Sequence, residues 1–495
     1  MSTTATRPDT NESPAETGDA ATGALRRNWS RIWLLVTLIS GLIGLTLRLG
    51  IVATRDLWAD EAFTWRVTLQ RFSRMYARVE ADFHPPLHYL FVWLLQEGAP
   101  DGWGPTYLRV LNLVWFVGLG VVAAWSCRRP SLRIALVPAF AVVAVAPGFV
   151  ELGAELRMYG MLLALVALLL VAVATIVERP SRSAIVVACI AAPAAAWTHY
   201  SGLIAAGAII TAGLVRGGRQ RLKSLAPVAA VYFGAGVVAL IPFALSQLGH
   251  GIGYRITLIR MINSILDDFG WVGLAVVIVA GIFAIRTVMR RGSSHRKPMA
   301  EISAISLISA ALFALGMLAW WVLKGQIPVN EGVSTVFAYL LLVGVLGLRL
   351  IPFRVLIAVL LVVGVVTAGV SVTRLWGAPN YSLGKRVSHV DVLDEVMRQY
   401  PPLAADGGRG WLIVEVDWSD MNAYFRQQAS ERLPFAKVET GTPAEGVVKA
   451  KIDQGQGAYQ RILVIRRPGT SVVGAIDGYR LEVRNGWTAM YFAEK

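Results

Sequence analysis

The chain has 495 residues, of which 55% are hydrophobic and 16% charged, and its mean hydropathy is +0.55. These values exclude an ordinary soluble enzyme and indicate an integral membrane protein with many spans. The net charge is +15, but the Lys and Arg residues stand in short runs between apolar segments, which is typical of topology signals and of contact with anionic lipids, and argues against nucleic-acid binding.

Residues 1–30 are rich in Ser, Thr, Ala, Pro and acids, and predict a disordered cytoplasmic tail. They lack the order of charge, apolar run and cleavage site that defines a signal peptide. The apolar segment that follows is also too long for one, so we expect it to remain as a membrane anchor.

Eleven apolar segments form the predicted membrane domain, residues 31–373. Placing every basic connector in the cytoplasm gives one consistent orientation, with the loop 54–106 and the C-terminus outside. The predicted spans are 32–53, 107–126, 134–150, 157–177, 184–198, 201–215, 225–245, 270–289, 302–323, 333–348 and 355–373.

The first outer loop, 54–106, begins with the acid pair Asp60-Glu61. A helical periodicity follows it over residues 65–79, with apolar side chains on one face and arginines opposite. Such a basic amphipathic helix next to a span typically lies in the headgroup layer. Residues 84–96 are too few to span a bilayer and begin at His84-Pro85-Pro86, so they predict a second juxtamembrane or re-entrant helix.

Other polar residues reach the same outer side in this topology. The spans themselves are clear of charge except near their ends, whereas a proton relay or ion pump more often has an ionisable group near mid-membrane. The chemistry is therefore expected at one face of the bilayer. The outer residues are Glu155, Arg157 and Tyr159 where the fourth span begins, His199 and Tyr200 before the sixth, Arg255 in the loop 246–269, and Lys324 in the loop 324–331.

The composition changes after residue 373, where charge density becomes ordinary. Short apolar runs at 411–416, 462–465 and 481–483 alternate with helical patterns at 389–400 and 418–431. Residues 374–495 therefore predict a small extracytoplasmic α/β domain, for acceptor recognition or stability. It contains no glycine pattern of a nucleotide-binding site.

An acid pair with cations and hydroxyl-rich residues around it suits transfer of a group from a lipid-linked phosphate. A carboxylate can take the proton from an attacking hydroxyl. Arg, Lys or a histidine at a helix entry such as His84 can stabilise the departing phosphate. No nucleotide is needed, which fits a site outside the cytoplasm.

Four segments, in order, resemble a known family. Residues 58–61 (WADE) are similar to the acidic signature of the GT-C glycosyltransferases, in the branch of protein O-mannosyltransferases and lipid A aminoarabinose transferases. Residues 82–87 (DFHPPL), 155–159 (ELRMY) and 198–202 (THYSG) resemble further segments of that branch. The resemblance covers about residues 30–215. Toward the C-terminus, residues 328–335 lack the arginine that relatives often carry before a late span, and Lys324 could replace its charge.

The resemblance implies a GT-C membrane fold with two juxtamembrane helices in the first outer loop, a polyprenyl-phosphate monosaccharide donor and an inverting reaction. It implies Asp60 as the catalytic base. Glu61 is a second catalytic candidate from its position in the acid pair, with orientation of Asp60 and simple solvent exposure as its alternatives. Histidines near the acids could instead hold a divalent metal, at Asp60, His84 and His88, although we expect no resident metal or cofactor. The candidates for binding the donor phosphate or sugar are His84, Arg157, Glu155, Tyr159, His199, Tyr200, Arg255 and Lys324.

Two other functions remain open. A transporter or lipid flippase would also have many spans, but it should show two similar halves, and no internal repeat is found in the sequence. The same fold without activity would leave the outer domain as a binding module, which the intact Asp60 disfavours. The expected partners are a polyprenyl-phosphate sugar, membrane lipids and a glycan, lipid or protein acceptor. The expected location is a bacterial inner or plasma membrane, with the N-terminus in the cytoplasm. Cys127 and Cys189 predict neither a disulfide framework nor a metal site.

Overall fold

The computed structural model describes residues 15–55, 57, 59–82, 84–98, 104–247, 301–324 and 331–348, together with five strands between Trp411 and Ala493. The predicted spans 270–289 and 355–373, the predicted helices 389–400 and 418–431, and the candidate residue Arg255 lie outside the described residues.

The described part of the membrane domain is helical throughout. A π-helical turn (Tyr232–Val237) and a 3-10 turn (Val238–Leu240) join α11 to α12. The helices are α1 (Ala15–Thr54), α2 (Ala59–Thr68), α3 (Phe72–Glu80), α4 (Leu87–Glu97), α5 (Pro105–Asn112), α6 (Val114–Ser126), α7 (Pro130–Val145), α8 (Pro147–Ala154), α9 (Tyr159–Glu178), α10 (Arg182–Thr198), α11 (Tyr200–Val231), α12 (Ile241–Gln247), α13 (Glu301–Lys324) and α14 (Glu331–Leu346).

Five stretches of the described chain are long and apolar enough to cross a membrane, and six if α7 and α8 count as one broken span. They coincide with predicted spans, so the integral membrane character is confirmed. The predicted total of eleven stays a prediction, because part of the domain lies outside the described residues. The five are Ser30–Thr54, Pro105–Ser126, Tyr159–Glu178, Tyr200–Gln247 and Glu301–Ala319, with shorter apolar helices at Arg182–Thr198 and Val333–Leu346.

Helix α1 begins at Ala15, inside the tail of residues 1–30 that the composition predicts to be disordered. The predicted tail is therefore too long at its C-terminal end. Residues 20–25 (AATGAL) contain three alanines, the residue with the highest helix propensity, and they extend the membrane helix toward the N-terminus.

Helix α9 is the centre of the bundle. It packs against α6, α10, α11, α13 and α14, and nearly all of its side chains are buried. A helix that is apolar on every face can be surrounded by protein or by lipid, and α9 is surrounded by protein. By contrast, α1 has one apolar face exposed, with Leu38 and Leu42 among its most accessible side chains, as expected beside lipid. The turn before α9 is thus fixed to the best-packed part of the described membrane domain.

A sharp bend of 75° separates α7 from α8 and directs the chain toward that turn. Pro147 begins α8, and the carbonyl groups at the end of α7 have no partner within their own helix. Arg48 of α1 supplies one. Its Nη1 donates to Ala144 O at 3.1 Å, and its Nη2 to Val143 O at 3.0 Å and Phe149 O at 2.9 Å. A buried cation therefore joins the broken span to α1.

The run Tyr200–Gln247 has 48 residues, more than twice the length that one span needs. It changes direction at Gly218, whose φ of 53° and ψ of −157° are accessible to glycine and strained for other residues. The predicted spans 201–215 and 225–245 correspond to the two sides of this kink.

The first outer loop contains three short helices, α2, α3 and α4, because the periodic segment 65–79 is divided in two at residues 69–71. Trp93 Nε1 donates to Gln70 O at 3.1 Å and holds this break against α4. Val79 is buried as the periodicity predicts, and Met75 is buried beside it, whereas Phe72 remains about half exposed. The three helices pack together and against α12 through a small apolar cluster that includes Met75 and Val79.

The strands of the C-terminal region form one five-stranded sheet in the order β2-β1-β3-β5-β4. Strand β1 is parallel to β2 and β3, whereas β5 is antiparallel to β3 and β4. Three strands fall on the predicted apolar runs. The strands are β1 (Trp411–Glu415), β2 (Lys437–Thr440), β3 (Arg461–Ile465), β4 (Tyr479–Val483) and β5 (Thr488–Ala493).

Candidate active site

Asp60 and Arg157, separated by 97 positions in sequence, meet where α2 begins and where the chain enters α9. Arg157 Nη2 lies 3.3 Å from Asp60 Oδ2. Arg157 Nη1 also donates to Asp60 O at 3.3 Å and to Thr64 Oγ1 at 3.2 Å. The Asp60 side chain is 37% exposed, whereas that of Arg157 is 3% exposed. The pair thus presents an accessible carboxylate held from behind by a buried cation.

Arg157 stays charged in spite of its burial. Burial alone would lower the pKa of the guanidinium, but Tyr89, Asp60, Tyr159 and Asp82 around it raise the pKa well above its ordinary value. A permanent cation at this position fixes the orientation of the Asp60 carboxylate at any physiological pH.

Glu61 has a different environment from its neighbour Asp60. It is 1% exposed, and its Oε1 accepts a hydrogen bond from the backbone N–H of Leu156 at 2.7 Å. The same oxygen lies 3.0 Å from Nε of Arg109, which is 3% exposed. Glu61 therefore joins α2 to α5 and to the turn before α9.

Asn112 fixes the turn that carries Glu155 and Arg157. Its Nδ2 donates to Glu155 O at 2.7 Å and to Arg157 O at 3.2 Å. The Glu155 side chain is buried. A buried side-chain amide thus sets the backbone of the ELRMY segment, and with it the position of the Arg157 guanidinium.

A hydrogen-bonded chain continues from Arg157 to His84. Tyr89 Oη lies 3.4 Å from Arg157 Nη1 and donates to Asp82 Oδ2 at 2.8 Å. The same Asp82 oxygen lies 3.2 Å from Nδ1 of His84. Burial would raise the pKa of Asp82, but the hydrogen bond and charge of His84, with the charge of Arg157 and the Tyr89 hydroxyl, lower it to about 2. Asp82 is therefore a carboxylate at physiological pH.

The backbone around His84 is held by Gln247, the last residue of α12. Gln247 Nε2 donates to Val79 O at 3.0 Å and to His84 O at 3.3 Å. Its Oε1 accepts from the hydroxyl of Tyr200 at 2.5 Å. Tyr200, predicted to bind donor phosphate or sugar, reaches the site through this amide.

His199 faces His84, with ring centroids 5.3 Å apart, and Tyr159, with centroids 6.3 Å apart. The backbone N–H of Ser201 donates to His199 Nδ1 at 3.0 Å, so the proton of the neutral ring is on Nε2. Burial and the charges of His84 and Arg157 lower the pKa of His199 well below its usual value. His199 is therefore a neutral imidazole, which also caps the start of α11.

His88 is fully buried on α4. Burial, reinforced by the charges of Arg157 and His84, lowers its pKa to about 3. Among the described residues, no group of three or more His, Cys, Asp or Glu side chains is arranged to hold a metal ion. Whether a metal binds at Asp60, His84 and His88 stays a prediction.

Most of the predicted site residues lie in one region. Asp60 contacts Arg157, the buried Glu61 follows Asp60 on α2, and Glu155 lies on the turn before α9. The rings of His84 and Tyr159 both contact the ring of His199 beside them. Lys324 is the last residue of α13, and its side chain lies outside the described residues, as does all of Arg255. Six residues that complete the site are not among the candidates that the sequence motifs predict: Thr64, Asp82, Tyr89, Arg109, Asn112 and Gln247. Of these, Asp82 had a usable signal, since it stands two residues before His84 in the DFHPPL segment.

No protein-family model matches the chain, and no curated protein matches it. Among solved structures, ArnT from Cupriavidus metallidurans matches in two states. The structure bound to undecaprenyl phosphate is 12% identical, with a TM-score of 0.46 over 94% of this chain and 98% of that one. The apo structure is also 12% identical, with a TM-score of 0.49 over 95% and 98% of the two chains.

The chain is similar to ArnT. This similarity agrees with the resemblance predicted from the four motifs. At 12% identity and TM-scores below 0.5 the similarity carries no argument about function, which has to be judged from the residues of the site.

Proposed function

We propose that the protein is an inverting glycosyltransferase, which moves a monosaccharide from a polyprenyl-phosphate carrier to an acceptor hydroxyl at the outer face of the membrane. The observation that carries the proposal is the accessible carboxylate of Asp60, 3.3 Å from the buried guanidinium of Arg157, at the end of the central span. A carboxylate that is both oriented and reachable suits a general base.

The reaction forms one bond and breaks one. The acceptor oxygen attacks the anomeric carbon, and its proton passes to Asp60. The bond from that carbon to the phosphate oxygen breaks, and its electron pair leaves with the polyprenyl phosphate. Attack opposite to the leaving group inverts the configuration of the sugar, and no nucleotide takes part.

The described contacts support separate roles for the predicted residues. Arg157 is almost fully buried and bonds to Asp60, Thr64 and Tyr89, so it acts on the donor through Asp60. Glu61 is engaged by Arg109 and by the backbone, so proton transfer falls to Asp60 alone. His84, with 15% of its side chain exposed, is the described residue best suited to meet the donor phosphate. Arg255 and Lys324 remain candidates for further phosphate contacts.

The decisive experiment is sugar transfer by purified protein in detergent or liposomes, with a panel of polyprenyl-phosphate monosaccharides. It compares the native protein with Asp60→Asn, which keeps the size of the side chain and removes the base. Glu151→Gln is the matched control, because Glu151 is an acid on α8 that pairs with Arg55 away from Asp60.

Transfer by the native protein and by Glu151→Gln, with loss in Asp60→Asn of at least about a hundredfold, is the expected result. Equal transfer by all three proteins would remove Asp60 as the base. If none of them transfers sugar across a broad panel, a lipid transporter becomes the better interpretation of the fold.

A further inference from the structure

We infer that Asp82 and Gln247 are positioning residues that present Nε2 of His84 to the phosphate of the lipid-linked donor. The inference rests on the proposed function and deepens it. Asp82 holds the ring of His84 and Gln247 holds its backbone, so both parts of the residue are fixed before a ligand arrives.

The ring orientation follows from the chemistry of Asp82. An ionised carboxylate can only accept hydrogen bonds, so Nδ1 of His84, at 3.2 Å, must carry a proton. The second ring nitrogen, Nε2, is then the one left for a ligand, and it donates a hydrogen bond whenever the ring is protonated. A phosphate oxygen is a strong acceptor for such a charged donor.

The backbone contact acts on the same residue from the other side. Gln247 Nε2 donates to His84 O and to Val79 O, and Gln247 is itself buried and bonded to Tyr200. The next two residues are Pro85 and Pro86, whose rings fix φ at the start of α4. Little freedom is left in the main chain at position 84.

The network also fixes the position of His84 relative to the base, Asp60. From Asp60 the contacts run through Arg157 and Tyr89 to Asp82 and then to His84, with steps of 3.3, 3.4, 2.8 and 3.2 Å. Because each step joins buried or half-buried polar groups, the separation of the base and the imidazole is fixed. Such preorganisation favours a displacement in which the incoming and leaving groups must be aligned.

Asp82 could act through His84 or could only stabilise the fold, and a double-mutant cycle distinguishes these two roles. The four proteins are native, Asp82→Asn, His84→Ala and the double variant. The measurements are the donor KM and kcat in the transfer assay and the Kd for undecaprenyl phosphate in detergent. If Asp82 acts through His84, we expect Asp82→Asn to raise the donor KM and the Kd by about tenfold, with a smaller change in kcat. The same substitution should then have little effect once His84 is absent.

Two further variants test the inference independently of how well Asp82→Asn folds. Gln247→Glu keeps the shape of the side chain but replaces the NH₂ donor with an oxygen facing two carbonyls. We expect a rise in donor KM that disappears in the His84→Ala background. Tyr89→Phe removes the other hydrogen bond to Asp82 and keeps the contact with His84, so it should raise the donor KM less than Asp82→Asn does. Thermal unfolding of each variant in detergent shows whether it is folded.

Equal effects of Asp82→Asn in the native and His84→Ala backgrounds would overturn the inference, and so would an unchanged KM and Kd in folded Asp82→Asn and Gln247→Glu. Both results leave the transfer activity of the native protein intact. If instead the native protein neither transfers sugar nor binds undecaprenyl phosphate, the proposed function is wrong and the inference falls with it.

Discussion

The ion pair between Glu61 and Arg109 tests how the candidate site is held together. Both side chains are buried, at 1% and 3% exposed, and Arg109 Nε lies 3.0 Å from Glu61 Oε1. Arg109→Met removes the cation, together with its hydrogen bond to Arg55 O at 2.6 Å, and leaves the carboxylate in place with the hydrogen bond from Leu156 N–H. Because a buried charge that loses its partner costs about 3–5 kcal/mol, we expect the free energy of unfolding to fall by about that amount.

The matched control is Arg55→Met. Arg55 and Glu151 form a pair of similar length, 2.9 Å, but their side chains are 23% and 25% exposed. A partly exposed pair is screened by solvent and contributes less than a fully buried one, so this variant should lose less stability than Arg109→Met. Denaturant titration in detergent micelles, followed by tryptophan fluorescence, measures both.

The double variant Glu61→Gln with Arg109→Met completes the test. It contains no buried charge at this position, so it should regain a substantial part of the stability that Arg109→Met loses. Equal losses in Arg109→Met and Arg55→Met, or a double variant less stable than Arg109→Met, would refute the claim that charge burial determines the cost.

Three further predictions concern the free energy of unfolding. A Cβ at Gly153 would lie 2.6 Å from Arg48 Nε, so Gly153→Ala should lower the free energy of unfolding by about 1–3 kcal/mol, whereas Gly118→Ala, with open space around it, should be neutral or stabilising. Gly218→Ala should cost about 1–3 kcal/mol because of the positive φ, measured by the same titration. Burial lowers the pKa of His88 from 6.5 to about 3. Between these two pH values the His88 ring is therefore protonated in the unfolded state and neutral in the folded state. Stability should therefore be complete above pH 6.5 and fall by about 1.4 kcal/mol per pH unit below it, and a titration of His88→Gln should show a smaller slope.

The residues that the sequence could identify are those with a motif around them. Asp60, His84, Arg157 and His199 each stand in a short polar segment beside an apolar one, and the predicted topology places these segments on one side of the membrane. That step needs only the lengths of the spans and the positions of the basic connectors. The structure then brings the side chains within a few ångströms of one another.

The residues that the sequence could not identify act through distant partners. Arg109 and Asn112 lie at the start of an apolar segment, where a polar residue is most simply interpreted as an interfacial anchor. Their function depends on Glu61 and on the carbonyls of the turn at 155–157, which no local pattern reveals. Gln247 is similar, since it ends an apolar run and its partners at Val79 and His84 are more than 160 positions away. Strand β2 is short and its only apolar residue, Val438, stands between two charged ones (KVET), so it offers no apolar run to detect.

The exposure of the network argues for a two-sided displacement. Arg157 and Tyr89 are buried, whereas Asp60 at one end of the hydrogen-bonded chain and His84 at the other retain accessible surface. An inverting transfer requires a base on one face of the anomeric carbon and a group that stabilises the departing phosphate on the opposite face. A chain of buried polar groups with a carboxylate at one accessible end and an imidazole at the other can meet both requirements at once. It follows that breaking the chain at Asp82 should raise the donor KM and leave the fold intact, because Asp60 keeps its contact with Arg157 and His84 keeps its contact with Gln247.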